Sequence, residues 1–209
     1  MKKICFLFIL SFLIAGCQEA EEKPDVKNAP VKNDTLRQVL PPATEYTSPD
    51  RSPMDMIYFP ADYPLLKMAG NAPALPSARI IYSRPQKQGR KIFGELIKYN
   101  EPWRLGANEA TELELFSAAV IQNKTVKPGR YIIYCIPQET KWTFILNSNL
   151  YSWGLQQNRQ KDLQQFDVPV EKMNNPVEFF TIAFERKSGK TADIIFLWDD
   201  VKTKLVVSF

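Results

Sequence analysis

Two polar islands interrupt an otherwise apolar, alternating stretch of this chain, and they hold the side chains best suited to chemistry. The first is Tyr82-Ser83-Arg84-Pro85, continued by Gly89-Arg90-Lys91-Ile92-Phe93-Gly94 and Leu96-Ile97; the second is Trp103-Arg104-Leu105-Gly106-Ala107-Asn108-Glu109-Ala110-Thr111. A guanidinium offers a planar fork of donors that matches carboxylate, phosphate or sulfate, and aromatic faces suit sugars and other flat molecules. Arg84, Arg90, Arg104, Asn108 and Glu109, gathered at a strand end and walled by Tyr82, Trp103, Trp142 or Trp153, would make a pocket for a small anionic or glycan-like ligand. Asn108 would orient a ligand oxygen there, and Glu109 would accept a hydroxyl or ammonium proton. The same residues also read as struts. Arg104 or Arg90 paired with Glu109, with Asn108 capping loop carbonyls, would hold long loops without any ligand, and that is the simpler reading.

Catalysis has little to work with. The chain has no histidine, which removes the usual Ser-His and Cys-His pairs and the commonest transition-metal ligand. Glu95, Glu101, Glu109, Glu112 and Glu114 are the carboxylates a glycoside hydrolase would draw on, at about 5–5.5 Å separation if retaining and about 6.5–9.5 Å if inverting. Glu112 and Glu114, however, fall on a solvated strand face, and no second carboxylate is directed toward Glu109. The Gly89–Gly94 segment lacks the Gly-Lys-Ser or Gly-Lys-Thr ending of a phosphate loop, and oxygen-rich calcium spacing is absent. An enzyme is therefore the least favoured class, and neither a metal nor a cofactor is expected. A third class is an interaction protein that docks another envelope component through residues 53–76 or through the aromatic loops.

The elements that must position these islands are strands. Thr111-Glu112-Leu113-Glu114-Leu115-Phe116 alternates with both leucines inward and both glutamates outward. Trp142, Phe144 and Leu146 share one face of a strand, with Thr143 and Ile145 on the other. Lys127-Pro128-Gly129 turns into a strand over 130–136 after a short paired strand over 119–123, and strands over 177–185, 191–199 and 201–208 complete the set, the first two separated by Lys187-Ser188-Gly189. Phe166, Val168 and Val170 alternate, with Pro169 confining that strand to an edge or a bulge. Eight or nine short strands without a convincing amphipathic helix predict an all-β domain over 78–209, an antiparallel sandwich, with a small barrel as the alternative. Residues 50–77 are rich in apolar side chains, but their prolines predict an irregular arm.

Ahead of this domain the chain reads as an export leader and a tether. Lys2 and Lys3 precede an apolar run over 4–14, too short for a bilayer span of about 20 residues, and Ile14-Ala15-Gly16-Cys17 resembles a bacterial lipobox. Residues 1–16 would be removed, Cys17 would carry the lipid that holds the protein on the membrane, and residues 17–49, rich in Glu, Lys, Asn, Pro and Thr, would form a flexible tether. Gln18 after the cysteine favours the outer membrane, facing the periplasm or the cell surface. Cys5 leaves with the leader and Cys17 takes the lipid, so Cys135 stands alone, shares a strand face with Tyr131 and Ile133, and reads as a small buried hydrophobe. The formal charge of +4 falls to +2 once Lys2 and Lys3 are lost, and the basic residues are not clustered as a nucleic-acid footprint requires.

The two islands, together with Gly129-Arg130-Tyr131, Ile136-Pro137, Trp142-Thr143, Ile145-Leu146-Asn147, Trp153-Gly154 and Pro176-Val177-Glu178, resemble the family catalogued as domain of unknown function 2911, over about residues 78–209. The resemblance implies an exported protein of Bacteroidetes-type bacteria. It brings no established activity, cofactor or catalytic residue. The family commonly has threonine where this chain has Leu105, which removes a hydroxyl from the second island.

Overall fold

The structure is a computed structural model in which residues 50–209 are described; the leader, Cys17 and the tether lie outside the described residues. Ten strands form two antiparallel sheets. In chain order they are β1 (Met54–Phe59), β2 (Ala78–Ser83), β3 (Glu112–Leu115), β4 (Ala119–Ile121), β5 (Lys124–Val126), β6 (Gly129–Pro137), β7 (Lys141–Asn147), β8 (Asp162–Pro169), β9 (Glu171–Ser188) and β10 (Thr191–Ser208). One six-residue helix, α1 (Tyr63–Met68), follows β1. The six-stranded sheet runs β1-β2-β3-β6-β7-β8 and the four-stranded sheet runs β5-β4-β10-β9. The fold is thus a two-layer β-sandwich, as the alternation predicts, with nine strands over 78–209 and a tenth, β1, from the arm before it.

The sandwich forms because each layer must hide one apolar face. Leu113 and Leu115 of β3 point into the core, while Glu112 and Glu114 lie outward and pair with Arg130 and Arg79 on the neighbouring strands. Trp142, Phe144 and Leu146 of β7 face Phe196 and Trp198 of β10 in one cluster that also holds Cys135. Burial raises the Cys135 thiol well above its usual value, which suits a packing role. Pro169 ends β8, the outermost strand of its sheet, where a missing N–H costs no ladder bond.

Three segments depart from expectation. The first half of the arm over 50–77 is an ordered edge strand: β1 pairs with β2 from Met54 opposite Ser83 to Phe59 opposite Ala78. Its prolines, Pro53 and Pro60, flank the strand instead of breaking it. Residues 191–208 are one continuous strand, since Asp199 sits at a register shift and does not end the pairing with β9. A short strand, β5, follows β4 through Gln122 and Asn123, both at positive φ, which is the backbone of a tight twisted hairpin turn.

Candidate functional site

The whole of 84–111 lies between β2 and β3, two strands that are adjacent in the sheet. Irregular connections longer than about 12–15 residues are uncommon in compact domains, and many of them are functional. Much of this one is exposed, yet it is anchored from within. Ile92, Phe93, Trp103 and Leu105 are buried in the core, and the loop closes one end of the sandwich.

Each island is stitched to a different sheet. In the first, the Lys87 N–H donates to the Glu178 carbonyl (2.8 Å) and the Phe180 N–H donates to the Pro85 carbonyl (3.0 Å), so residues 85–87 run beside β9. The Lys87 ammonium pairs with the half-strand residue Asp199 of β10, whose other carboxylate oxygen accepts the Ile92 N–H. In the second island, Trp103 and Cys135 exchange both backbone hydrogen bonds (2.7 and 2.9 Å), fixing the loop to β6. Ser83 Oγ accepts the Ala107 N–H (2.6 Å) and donates to its carbonyl (3.0 Å), fixing it to β2.

This docking needs glycine. A Cβ on Gly106 would stand 2.7 Å from Ser83 Oγ, so the two chains approach only because position 106 has no side chain. Leu105 and Asn108 take left-handed backbone conformations (φ 58° and 46°), which strain a bulky leucine more than an asparagine. The Thr111 hydroxyl, donating to the Leu105 carbonyl at 2.7 Å, holds that conformation.

Between the islands lies a cleft of about 340 Å³. Arg90 comes from the first island and Arg104 from the second. Trp103 and Trp198 form its floor, at 6% and 2% exposure, stacked on each other with ring centroids 5.8 Å apart. Leu96, Ile97 and Pro102 make one apolar wall, and Leu155, 74% exposed, stands at the rim. The loop that carries Leu155 is seated by Gly154, where a Cβ would come within 2.9 Å of both Ala110 Cβ and Arg104 Cβ.

The two cleft arginines differ from the others near them. Arg79, Arg84 and Arg130 each have a carboxylate partner within 4 Å. Among the described residues, neither Arg90 nor Arg104 has one, and no carboxylate lines the cleft. Backbone carbonyls position them instead. Arg90 donates to the Lys87 carbonyl (2.9 Å) and the Gln86 carbonyl (2.5 Å), and Arg104 donates to the Trp153 carbonyl (3.2 Å). Partial burial lowers the Arg104 guanidinium from its ordinary value, while the field of Glu109 acts the other way. Each guanidinium has donors left over beyond these bonds.

Of the residues picked out by composition and spacing, Arg90, Trp103 and Arg104 meet in the cleft, and the others do not. Arg84 turns toward β9, pairing with Asp55 (3.3 Å) and donating to Thr181 Oγ1 (3.1 Å) and the Phe180 carbonyl (3.4 Å). It is a strut between β1, β2 and β9. Asn108 donates to the Ser52 carbonyl (3.1 Å) and to Asp50 (2.6 Å), tying the loop to residues before β1 and not to its own carbonyls. Glu109 is exposed and forms no ion pair among the described residues. Trp142 is buried beneath Phe93 and Trp103, and Tyr82 is equally buried, its hydroxyl donating to the Ile182 carbonyl (3.2 Å). Trp153 lies beside the cleft, half exposed, with the Arg104 guanidinium 6.0 Å above its ring. Trp198 and Leu155 were not picked out, and Leu96 was named within the first island without a role in the pocket. Only Trp198 carried a signal, as an aromatic followed by two aspartates inside an apolar strand.

None of the carboxylates proposed for hydrolysis lines the cleft. Glu112 and Glu114 are tied to arginines on the outer sheet face, and Glu95 pairs with Lys91 at 3.6 Å. Among the described residues no group of three or more His, Cys, Asp or Glu could hold a metal, and no helix is long and apolar enough to cross a membrane.

No curated protein and no solved structure matches this chain. The family model described as Protein of unknown function (DUF2911) matches residues 67–207, beginning within α1 and taking in both islands, the loop of Gly154 and Leu155, and Trp198. Every cleft residue except Ser52 falls inside that match, and the chain belongs to the DUF2911 family.

Proposed function

We propose that this protein is a lipid-anchored binding module of the cell envelope whose cleft takes a small organic anion with an apolar body. The observation that carries the reading is the pair of uncompensated guanidiniums, Arg90 and Arg104, on a cleft otherwise lined mainly by apolar groups. Arg104 is partly buried and Arg90 exposed, and an anionic ligand would engage both forks through charge-assisted hydrogen bonds. Pockets of a few hundred Å³ with apolar walls and a few placed polar groups are the usual form of small-molecule sites. Of the two ligand types expected, the anion fits better than a stacked neutral sugar, because Trp103 and Trp198 offer the cleft only the margins of buried rings.

The lipobox at Cys17 and the residue after it support anchoring at the outer membrane, with the cleft presented to the periplasm or the outside. Calorimetric titration of the mature protein with benzoate and with its neutral isostere benzamide tests the binding reading. Benzoate binding that is lost in R104A, with benzamide inert, is the expected result. Equal binding of both, or of neither, overturns it.

A second reading, docking of another envelope protein, is favoured by Met54 and Met56, half exposed on the edge strand β1, and by exposed Leu65 and Met68 on α1. An M54E/M56E variant that loses a partner cross-linked in intact cells would support it. An unchanged cross-link pattern would count against it.

A further inference from the structure

Beside the cleft lies a second hollow of about 210 Å³ whose lining is wholly polar: Arg51, Ser52, Gln86, Gln88 and Arg90. Arg90 and Ser52 belong to both hollows, so the two are compartments of one groove with a guanidinium at the junction. Their chemistry is opposite. The cleft is mainly apolar with a cation at each side, while the second hollow has two guanidiniums, two side-chain amides and a hydroxyl, and no carboxylate.

Two carboxylates touch the backbone of this lining, and neither pairs with Arg51 or Arg90 within 4 Å. Asp50 accepts the Ser52 N–H (2.8 Å) and the Asn108 amide (2.6 Å), and Glu178 accepts the Gln88 N–H (2.8 Å). Arg51 has no carboxylate within 4 Å among the described residues. The Arg90 guanidinium is held by the Gln86 and Lys87 carbonyls through two of its nitrogens. Its remaining N–H groups are free to face the groove.

Resting on the binding reading above, we propose that this polar hollow is a second anion subsite, and that the ligand is elongated with an anionic group at each end. One anionic group sits between Arg104 and Arg90, the body lies over the apolar floor, and a second anionic group sits between Arg90 and Arg51. A planar carboxylate is satisfied by one bidentate guanidinium. Donors from Arg51, Arg90, Ser52 and a glutamine amide, converging from several directions, suit a tetrahedral group whose peripheral oxygens point apart. The second group is accordingly a phosphate or sulfate ester, and the two are told apart by charge: a phosphate monoester loses its second proton near pH 6, whereas a sulfate ester keeps one charge throughout.

The test uses the full-length protein in detergent and three probes: benzoate, 4-carboxyphenyl phosphate and 4-carboxyphenyl sulfate. The expected result is that at least one ester binds at least tenfold more tightly than benzoate. R51A brings that ester down to the benzoate level and leaves benzoate within about twofold. A K190A variant, which removes one exposed charge from the distant β9–β10 turn, changes neither, so the gain is local and not a consequence of net charge. A phosphate-binding subsite tightens between pH 5 and pH 7, and a sulfate-binding one is flat over that range. Esters that bind no better than benzoate, or an R51A variant that weakens benzoate and ester alike, overturn the second subsite while the cleft stands. Failure of benzoate together with both esters removes the cleft itself.

Discussion

Removing Arg84 and removing Arg104 should have opposite consequences, because one side chain is spent on the fold and the other is not. Arg84 joins three strands through a 3.3 Å ion pair to Asp55, a 3.1 Å bond to Thr181 and a 3.4 Å bond to the Phe180 carbonyl. Hydrogen bonds to charged groups contribute about 1.5–3 kcal/mol when well buried, but these are long and both ion-pair partners are about one-third exposed. Solvent screening brings the expected cost of R84A to about 1–2 kcal/mol. For a domain of this size that lowers Tm by roughly 2–8 °C. Arg104 has one 3.2 Å bond to a carbonyl and a guanidinium 6.0 Å above a half-exposed indole, together about 0.5–1 kcal/mol. In the binding assay the order reverses: loss of a charge-assisted contact to the anion should weaken benzoate at least tenfold in R104A, while R84A stays within about twofold. Differential scanning calorimetry and calorimetric titration on the same samples measure both. An R104A protein that binds normally, or an R84A protein that loses binding as R104A does, would refute the division between strut and site.

Three further outcomes follow from the same geometry. Gly154→Ala forces a side chain against Ala110 and Arg104 at a positive φ of 81°, so it should cost about 1–3 kcal/mol in urea unfolding and weaken benzoate by moving Leu155. The buried Tyr82 phenol is pushed up to about 12, chiefly by desolvation, so it keeps its proton in the fold when the unfolded chain, titrating near 10, has lost it. Its contribution is therefore complete below about pH 10 and lost as pH rises through about 12, roughly 2–3 kcal/mol in all, and urea midpoints for Y82F should fall less steeply across that window than those of the unmodified protein. For the anchor, C17S should leave the membrane fraction or accumulate unprocessed; a C17S protein that matures and still sediments with membranes contradicts lipidation at Cys17.

The sandwich was legible wherever one face of a strand meets solvent, as in Glu112-Leu113-Glu114-Leu115, because burial of one side imposes a period of two on the residues themselves. It was less legible at β1, where flanking prolines looked like interruptions, and in β10, where Asp199 and Asp200 looked like an end. There a register shift absorbs a left-handed Asp199 within continuous pairing, and nothing local distinguishes a bulge from a turn. The cleft was legible in part. Arg90, Trp103 and Arg104 could be picked out because charge and aromatic surface stand in segments that must leave the sheets. Whether Arg84 joins them depends on which way one side chain turns at the end of β2, and only Asp55 and Thr181, remote in sequence, decide that. Trp198 and Leu155 reach the cleft from other loops and strands, through a three-dimensional closure that residue spacing does not encode.

Protein purified under mild conditions from its native source, and crystallised without added ligand, tests the central claim most directly. Density for a small molecule bridging Arg90 and Arg104 above the Trp103–Trp198 pair, with a matching anionic mass in the extract of the same sample, is the predicted result. A water-filled cleft with Glu109 folded back onto Arg104, and no anion in the extract, would show that the two guanidiniums serve the loop alone.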